Sequence, residues 1–355
     1  MLEVKNLNVV FHQNSSPIIA VKDFSFSIAA GETLGLVGES GSGKTVSSLA
    51  LLGLLNSKNV VLGGNAYFNM QQPVDLLKLN ERQLTAIRGR HIAMIMQEPM
   101  QAFNPIFTCG HQVAETIRKH TSLSKNDATE KVFQLFEKVK LPNPLQISKR
   151  FPHQLSGGQL QRVAIAMAIC CNPSLLIADE PTTALDTSVQ KDILLLLQQL
   201  QSENNMGMLF ISHDLEVVKH IAHHTLVVHA GQMVEQGKTP ILFSHPTHDY
   251  TKELLQSRPS GFKRNKIIGE RNILTVENLY KNFNQRQGLF RSTKNTSNAV
   301  DNIIFTVKQG ETLGIVGESG SGKTTLAKLL LRLIEADSGL IKLNGENLIH
   351  YPIRT

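Results

Sequence analysis

A glycine-rich loop occurs twice in this sequence, at residues 31–45 and 310–324, and fourteen of the fifteen positions are identical. The first copy fits the pattern GxxxxGK[ST] between a short apolar stretch and a helical pattern. Such a loop leaves backbone N–H groups free to surround phosphate oxygens, and the next helix directs its positive end at them. The predicted phosphate-binding residues of the first copy are Gly38, Ser40, Gly41, Ser42, Gly43, Lys44 and Thr45.

Two side chains of this loop suit a phosphate chain that carries a metal ion. Lys44 is predicted to neutralise β- and γ-phosphates, and the Thr45 hydroxyl is predicted to bind Mg²⁺. A glycine turn without a ligand is disfavoured, because the octapeptide occurs twice in matching contexts. The equivalent residues of the second copy are Gly317, Gly320, Gly322, Lys323 and Thr324.

An apolar stretch that ends in two acids, LLIADE at 175–180, predicts the catalytic carboxylates. We expect it to form a buried strand beside the loop strand, Thr33–Val37. Asp179 would then lie near the Mg²⁺ ion, and Glu180 beside the γ-phosphate, where a carboxylate can orient or deprotonate attacking water.

A second anion site is indicated by LSGGQ at 155–159, which precedes a helical run. A helix start with free backbone donors, a hydroxyl and no Cβ suits a phosphate. One nucleotide does not need two such sites in one domain, so this one is expected to serve a nucleotide held by another copy. Its residues are Ser156, Gly157, Gly158 and Gln159.

Together with MQEP (96–99), LLIADEPTTALD (175–186) and ISHD (211–214), these motifs resemble, in order, those of ABC transporter nucleotide-binding domains. The resemblance implies an α/β P-loop NTPase fold with an antiparallel β subdomain and a helical subdomain, and ATP and Mg²⁺ as ligands.

The same resemblance assigns roles to four further residues. It makes Gln97 the loop glutamine that senses Mg²⁺ and the membrane subunit, and His213 the switch on the γ-phosphate. Asp186 becomes a contact between two composite sites. Phe11 corresponds to an aromatic that stacks on adenine, although a core phenylalanine is an equally good interpretation.

Three longer stretches resemble the ATPases of peptide and nickel importers: QEPMQAFNP (97–105), FPHQLSGGQ (151–159) and the tail HPTHDYTKELLQSRP (245–259). Such tails usually contain His-Pro-Tyr where this chain has His248, Asp249 and Tyr250. The tandem layout is especially similar to the fused Yej-type ATPases of oligopeptide and microcin C importers, and a glutathione importer ATPase shares it. No cysteine lies in 245–298, so no iron–sulfur cluster is expected.

The repeat predicts the domain organisation. Residues 1–258 are expected to form a complete domain, with a helical subdomain at about 98–172 and a C-terminal tail at about 240–258. Residues 259–272 are a predicted linker. Residues 273–355 match the first third of a second domain, which we expect to be truncated and to contribute little stability.

Periodicity and turn residues predict the elements. Expected strands are 2–11, 21–28, 33–37, 175–178, 208–212 and, in the second copy, 313–316 and 340–348. Expected helices are 45–55, 127–139, 157–171, 189–204 and, in the second copy, 324–339. Their alternation indicates a parallel, doubly wound sheet in which the acid-bearing strand flanks the loop strand.

Composition limits the alternatives. With 41% hydrophobic and 18% charged residues the chain is typical of globular proteins, and its net charge of +7 is scattered, so no direct nucleic-acid binding is expected. The longest apolar run, 163–171, is too short to span a bilayer, and the amino terminus does not resemble a signal peptide. The cysteines Cys109, Cys170 and Cys171 are expected to be small core residues.

By the resemblance, the chain is an ATP-hydrolysing energy-coupling subunit at the cytoplasmic face of the inner membrane. Its partners would be transmembrane permease subunits, an external substrate-binding protein and a second ATPase domain, from an identical chain or a separate partner. Two alternatives stay open: a non-functional remnant of a tandem ATPase, and a soluble ABC ATPase of translation or DNA repair. The transported substrate, whether peptide, microcin, glutathione or nickel, cannot be inferred from these residues.

Overall fold

The computed structural model describes residues 1–13, 16–55, 59–70, 72–183, 185–256, 269–285, 295–318 and 320–348. The chain divides into two compact units, Met1–Arg258 and Pro259–Thr355. Most of the predicted linker and the end of the second copy lie outside the described residues. Within the described part of the chain, every helix is too short or too polar to cross a lipid bilayer.

Ten strands of the first unit form one sheet in the order β5-β4-β1-β2-β10-β9-β3-β8-β7-β6. Their bounds are β1 Leu2–Gln13, β2 Ser16–Ile28, β3 Thr33–Val37, β4 Val60–Asn69, β5 Pro73–Asp75, β6 Ile92–Ile95, β7 Leu175–Asp179, β8 Gly207–Ser212, β9 His224–His229 and β10 Gln232–Lys238.

Helices flank this sheet and fill the long connection between β6 and β7. Their bounds are α1 Lys44–Leu51, α2 Glu81–Ile87, α3 Pro99–Ala102, α4 Cys109–His120, α5 Lys125–Lys138, α6 Pro144–Ser148, α7 Gly157–Ile169, α8 Thr187–Glu203, α9 Leu215–Ile221, α10 Thr239–Ser244 and α11 Asp249–Gln256. Short 3-10 helices occupy Leu76–Lys78 and Pro152–Gln154.

The sheet has an antiparallel half and a parallel half. Strands β1, β2, β4 and β5 pair antiparallel, whereas β9, β3, β8, β7 and β6 are successive parallel neighbours. The parallel strands are buried on both faces: Leu209 and Ile211 of β8 belong to one core cluster, and Met208 and Phe210 to another. The α/β class expected from the sequence, with its antiparallel and helical parts, is confirmed.

One expected neighbour relation is wrong. The loop strand β3 pairs with β8 and β9, and the acid-bearing strand β7 lies one strand further away, between β8 and β6. Because parallel strands end at the same edge of the sheet, β7 still delivers its carboxyl-terminal acids to the edge where β3 enters the glycine loop. Strand order depends on pairing between distant segments, which residue patterns do not specify.

Helix α1 ends at Leu51, four residues before the expected end. Gly53 adopts a left-handed conformation, and the Leu54 N–H donates to the Leu49 carbonyl at 2.9 Å. This bond across the helix end is a Schellman motif, and a glycine is the residue that enters its left-handed position without steric cost.

The second unit contains a hairpin, a helix and two short strands. β11 (Asn272–Gln285) pairs with β12 (Asn295–Lys308) and β13 (Ser338–Leu343), which pairs with β14 (Glu346–Asn347), all antiparallel. Helix α12 spans Lys323–Leu330.

Three expectations for the second copy are wrong. The single strand expected at 340–348 is divided by a turn at 344–345 into β13 and β14, which pair with each other. Residues 313–316 form no strand, because the described part of this unit supplies no parallel strands corresponding to β8 and β9. The helix expected to run to residue 339 ends at Leu330. Arg332 adopts a left-handed conformation, and the Leu333 N–H donates to the Lys328 carbonyl, which is again a Schellman ending.

Candidate functional site

The first glycine loop connects β3 to α1 and depends on its glycines. Gly41 and Gly43 have φ values of +81° and +97°, and Gly38 has +152°. A Cβ at Gly38 would overlap the carbonyl oxygen of Val228, and one at Gly43 would overlap that of Ala20. The loop is therefore pressed against β9 on one side and β2 on the other, in a conformation that side chains rarely permit.

Lys44 lies inside this loop with only 5% of its surface exposed. Its ammonium donates to the carbonyl oxygens of Gly38 at 2.8 Å and Glu39 at 2.7 Å. Burial lowers the pKa of Lys44, and the charges of Glu180 and Asp179 act in the opposite direction. Phosphate oxygens would give the ammonium stronger, charge-assisted partners than the two neutral carbonyls.

Asp179 ends β7 and is 2% exposed. Its Oδ1 atom has no hydrogen-bond partner, which is costly for a buried carboxylate oxygen. Burial raises the pKa of Asp179, and a hydrogen bond with the Thr45 side chain partly counteracts that rise. An unpartnered carboxylate oxygen beside a threonine hydroxyl is the donor set that Mg²⁺ prefers, so these residues fit the expected ion.

Three of the predicted site residues, expected to take part in catalysis, form a hydrogen-bonded group. Glu180 Oε1 lies 3.0 Å from His213 Nδ1, and Glu180 Oε2 accepts from Gln97 Nε2 at 3.0 Å. Thr183 Oγ1 also donates to Oε2, at 2.8 Å. Burial favours the protonated acid, but the hydrogen bonds from His213 and Thr183 outweigh it and hold the pKa of Glu180 below its ordinary value.

The sequence interpretation missed Thr183, although it follows Glu180 at a spacing of three residues in the conspicuous DEPTT run. Glu180 itself has a φ of +46°, which is uncommon for a residue with a side chain. Its backbone N–H donates to the Ile211 carbonyl of β8 at 2.9 Å. The backbone of β8 thus helps to hold the carboxylate that β7 introduces.

The LSGGQ residues begin helix α7 with a capping box. The Ser156 hydroxyl accepts from the Gln159 N–H, and the Gln159 side-chain oxygen accepts from the Ser156 N–H, both at 3.3 Å. Ser156 and Gly157 are exposed. Gly158 has a structural function: a Cβ there would lie 2.6 Å from a methyl group of Val189 on α8. Its missing Cβ therefore serves helix packing, which the phosphate-site interpretation did not include.

Asp186 and Phe11 lie at the start of α8 and on β1, respectively. Asp186 begins α8, and its carboxylate accepts from the Val189 N–H at 2.9 Å and the Ser188 hydroxyl at 2.7 Å. Phe11 on β1 is half-buried against the core of the antiparallel half. This position suits both an aromatic ring that stacks on adenine and a phenylalanine of the core.

The second loop repeats the local geometry with less burial. Lys323 donates to the Gly317 and Glu318 carbonyls, both at 2.6 Å. Gly320 and Gly322 keep positive φ values of +84° and +92°. Thr324 is exposed, as Thr45 is, but Lys323 is only half-buried whereas Lys44 is buried. The described residues of this unit contain no counterpart of the β7 acids or of His213.

Two curated relatives illustrate what the sequence is similar to. Glutathione import ATP-binding protein GsiA of Escherichia coli strain K12 is 40% identical over 377 residues, and the protein of that name from Salmonella typhimurium strain LT2 is 41% identical. Each alignment covers 98% of this chain and 60% of the relative, so the chain spans about three fifths of the length of these proteins.

Solved structures share the fold. The ATP-binding cassette MJ0796, in a dimeric post-hydrolysis state bound to ADP and Pi, matches with a TM-score of 0.60 at 26% identity, covering 67% of this chain and 99% of that one. CbiO1 of Clostridium perfringens, part of the transporter complex CbiONQ, matches with a TM-score of 0.58 at 24% identity, covering 69% and 90%.

The family model for ABC transporters matches residues 21–183 and again 300–354. Each match contains one of the two glycine loops, and the two matches together cover more than half of the sequence. The chain therefore belongs to the ABC transporter family, as one of its ATP-binding proteins.

Proposed function

We propose that the first unit is a Mg²⁺-dependent ATPase domain that supplies energy to an importer of peptides or peptide-like compounds. The observation that carries the proposal is the arrangement at one sheet edge. There a lysine in a phosphate-binding loop, a buried aspartate with an unpartnered oxygen and a glutamate held by three side chains lie on neighbouring strands and loops. The glutathione import relatives support the substrate class.

The binding residues follow from the donor set. Backbone N–H groups of the loop and Lys44 would hold the β- and γ-phosphates, while Thr45 and Asp179 would hold Mg²⁺. Gln97, the third expected metal residue, here donates to Glu180. When bound, Mg²⁺ offsets the negative charge that builds up on the phosphate oxygens.

Glu180 would act on the attacking water. A carboxylate with a lowered pKa stays ionised at neutral pH, so it can orient the water and accept its proton. His213 and Gln97 fix the two carboxylate oxygens, and His213 is 57% exposed on the side chain, so it can turn towards a γ-phosphate. A nucleotide would therefore rearrange this group before hydrolysis.

A second ATP-binding domain would complete the site. Ser156 and Gly157 are exposed at a helix start, where free N–H groups suit the phosphate of a nucleotide in another copy. Gln159 supports that start through the capping box, and Asp186 caps the start of α8, against which α7 packs through Gly158. Head-to-tail pairing of two domains uses these surfaces, from identical chains or from a partner ATPase.

Permease subunits are the proposed membrane partners, with an external substrate-binding protein delivering the cargo at the opposite side of the membrane. Apolar side chains beside the Gln97 loop are exposed: Met96 by 39%, Met100 by 48% and Ile106 by 71%. Exposed apolar side chains that lie close to Gln97 along the chain suit a protein partner. We accordingly propose a position on the cytoplasmic face of the inner membrane.

The test is ATP hydrolysis by the purified chain, with and without Mg²⁺. Glu180→Gln should lower turnover at least about 100-fold while ATP binding persists, and with ATP the variant should elute as a dimer in size-exclusion chromatography. Glu137→Gln, an exposed carboxylate on α5, is the matched control. Wild-type protein that neither binds nor hydrolyses ATP would contradict the proposal, and a monomeric Glu180→Gln variant would contradict the pairing.

A further inference from the structure

We propose that Tyr250, in the tail after the nucleotide-binding core, is a positioning residue for the phosphate-binding loop. It acts through one peptide unit, the bond between Gly38 and Glu39. The inference rests on the proposed function, because the loop must bind a nucleotide for its position to affect activity. It assigns a role in that function to the tail, a segment outside the five motifs that bind and hydrolyse ATP.

The Gly38–Glu39 peptide is held at both ends. Its N–H, on Glu39, donates to the Tyr250 hydroxyl oxygen at 3.3 Å. Its carbonyl, on Gly38, accepts from the Lys44 ammonium at 2.8 Å. A peptide unit is planar, so fixing the N–H also fixes the direction of the carbonyl. Tyr250 thereby sets the orientation of a group that contacts the phosphate-binding lysine.

Tyr250 is itself held against the sheet. Its ring lies 3.9 Å, centroid to centroid, from that of His229 at the end of β9. The preceding residue, Val228, has the carbonyl against which Gly38 packs without room for a Cβ. Burial raises the pKa of Tyr250, so the hydroxyl stays neutral throughout the physiological range. The ring and the start of the loop therefore contact the same end of β9.

Glu235 on β10 fixes the turn that leads to Tyr250. One carboxylate oxygen accepts from the Thr247 N–H at 2.8 Å and from its hydroxyl at 2.9 Å, and the other accepts from the His248 N–H at 3.1 Å. The Tyr250 N–H then donates to His248 Nδ1 at 3.1 Å. Three donors on one carboxylate make the turn rigid, and a rigid turn lets a single hydroxyl position a loop.

The expected effect separates binding from chemistry. Tyr250→Phe keeps the ring contact with His229 and removes the acceptor for the Glu39 N–H. A lost neutral hydrogen bond of this kind corresponds to a roughly three- to tenfold weaker affinity for Mg²⁺–ATP. None of the hydrogen bonds of Tyr250 described above involves Glu180 or His213. The kcat should therefore stay unchanged, while KM for ATP rises by roughly the same three- to tenfold factor.

The experiment combines three measurements on the full chain. Hydrogen exchange of the loop amides is measured without nucleotide, affinity is measured with a fluorescent ATP analogue and Mg²⁺, and Tm is measured by thermal unfolding. In Tyr250→Phe the Glu39 amide should exchange faster, the analogue should bind more weakly, and Tm should stay within about 4 °C of wild type. Tyr67→Phe on β4, a tyrosine in the antiparallel half of the sheet, is the matched control and should change none of the three.

Tyr250→Ala tests the packing separately. It removes the ring as well, so Tm should fall in addition to the two effects of Tyr250→Phe. Unchanged exchange of the Glu39 amide in Tyr250→Phe, or an affinity within twofold of wild type, would overturn the inference. If the wild-type chain bound no nucleotide, the proposed function would fail, whereas the exchange measurement would still test the contact itself.

Discussion

The two glycine loops of this chain have nearly the same sequence and backbone but different surroundings. Gly38, with a φ of +152°, corresponds to Gly317 at +159°, and Gly43, at +97°, corresponds to Gly322 at +92°. In both loops the lysine donates to the two carbonyls that begin the loop. The conformation therefore comes from the loop, the preceding hairpin and the following helix, which both units contain.

The segment before each loop shows what differs. Leu34 and Leu36 are at most 1% exposed, whereas Leu313 and Ile315 are 42% and 45% exposed, and Val316 is 93% exposed. In the first unit β8 and β9 enclose β3, and β7 adds the acids. Loop geometry is thus a local property, whereas burial and the catalytic carboxylates come from strands far along the chain.

The largest expected effect comes from removing the lysine of the first loop. Lys44→Ala should weaken Mg²⁺–ATP binding at least about 100-fold, because it removes the buried ammonium that the loop carbonyls hold and that would pair with the phosphates. Lys323→Ala, the matched change in the second loop, should leave the affinity of the first site within twofold. Titration with a fluorescent ATP analogue measures both, and equal losses would show that the loops share one function.

The burial difference predicts unequal stability changes. Leu34→Ala opens a cavity in the core and should cost about 2–5 kcal/mol of unfolding free energy. Leu313→Ala removes a partly exposed side chain and should cost less than about 1 kcal/mol. Urea unfolding followed by circular dichroism gives both values. A Leu313→Ala cost above that of Leu34→Ala would contradict the exposure of this segment.

The two central glycines of LSGGQ should respond differently to a methyl group. Gly158→Ala forces a contact of 2.6 Å with Val189 and should cost about 1–3 kcal/mol of unfolding free energy. Gly157→Ala meets Leu185 at an ordinary 3.5 Å, so it should leave stability the same or raise it by up to about 1 kcal/mol. Thermal unfolding of both variants measures the difference, and similar costs would refute the packing function of Gly158.

The smallest expected effect concerns the buried charge of Asp179, tested without Mg²⁺. Because burial raises its pKa, the folded chain keeps this proton to a higher pH than the unfolded chain. The charged carboxylate therefore lowers stability increasingly as pH rises through the range between the two pKa values. Asp179→Asn should be more stable than wild type by about 1 kcal/mol at pH 8, and the gain should shrink as pH falls.

Urea unfolding across that pH range, in a chelator, measures this difference. Asp301→Asn, an exposed acid on β12, is the control and should change stability little at any pH. A gain for Asp179→Asn that grows as pH falls would have the wrong sign and would exclude burial as the dominant influence on this carboxylate.

The sequence by itself determined the local features. It predicted β3 with its observed bounds, because a short, mostly apolar segment of five residues precedes the loop. It also predicted the loop, because the positive φ angles that require glycine there depend on the local chain. It further selected Glu180, from the acidic end of a predicted strand, and Gln97 and His213, through the family resemblance, as candidate site residues. The helix ends at Leu51 and Leu330 were predicted less well, since either ending needs one left-handed residue.

Only the tertiary structure decided which distant segments meet. The sequence pattern did not show β8 between β3 and β7, the Thr183 hydroxyl on Glu180, the unpartnered Asp179 oxygen or the Tyr250 contact with Glu39. Each depends on residues brought together by strand order across the sheet, where many pairings suit the same apolar pattern. The two loops illustrate the same limit, because one motif lies in a buried site in the first unit and in an open one in the second.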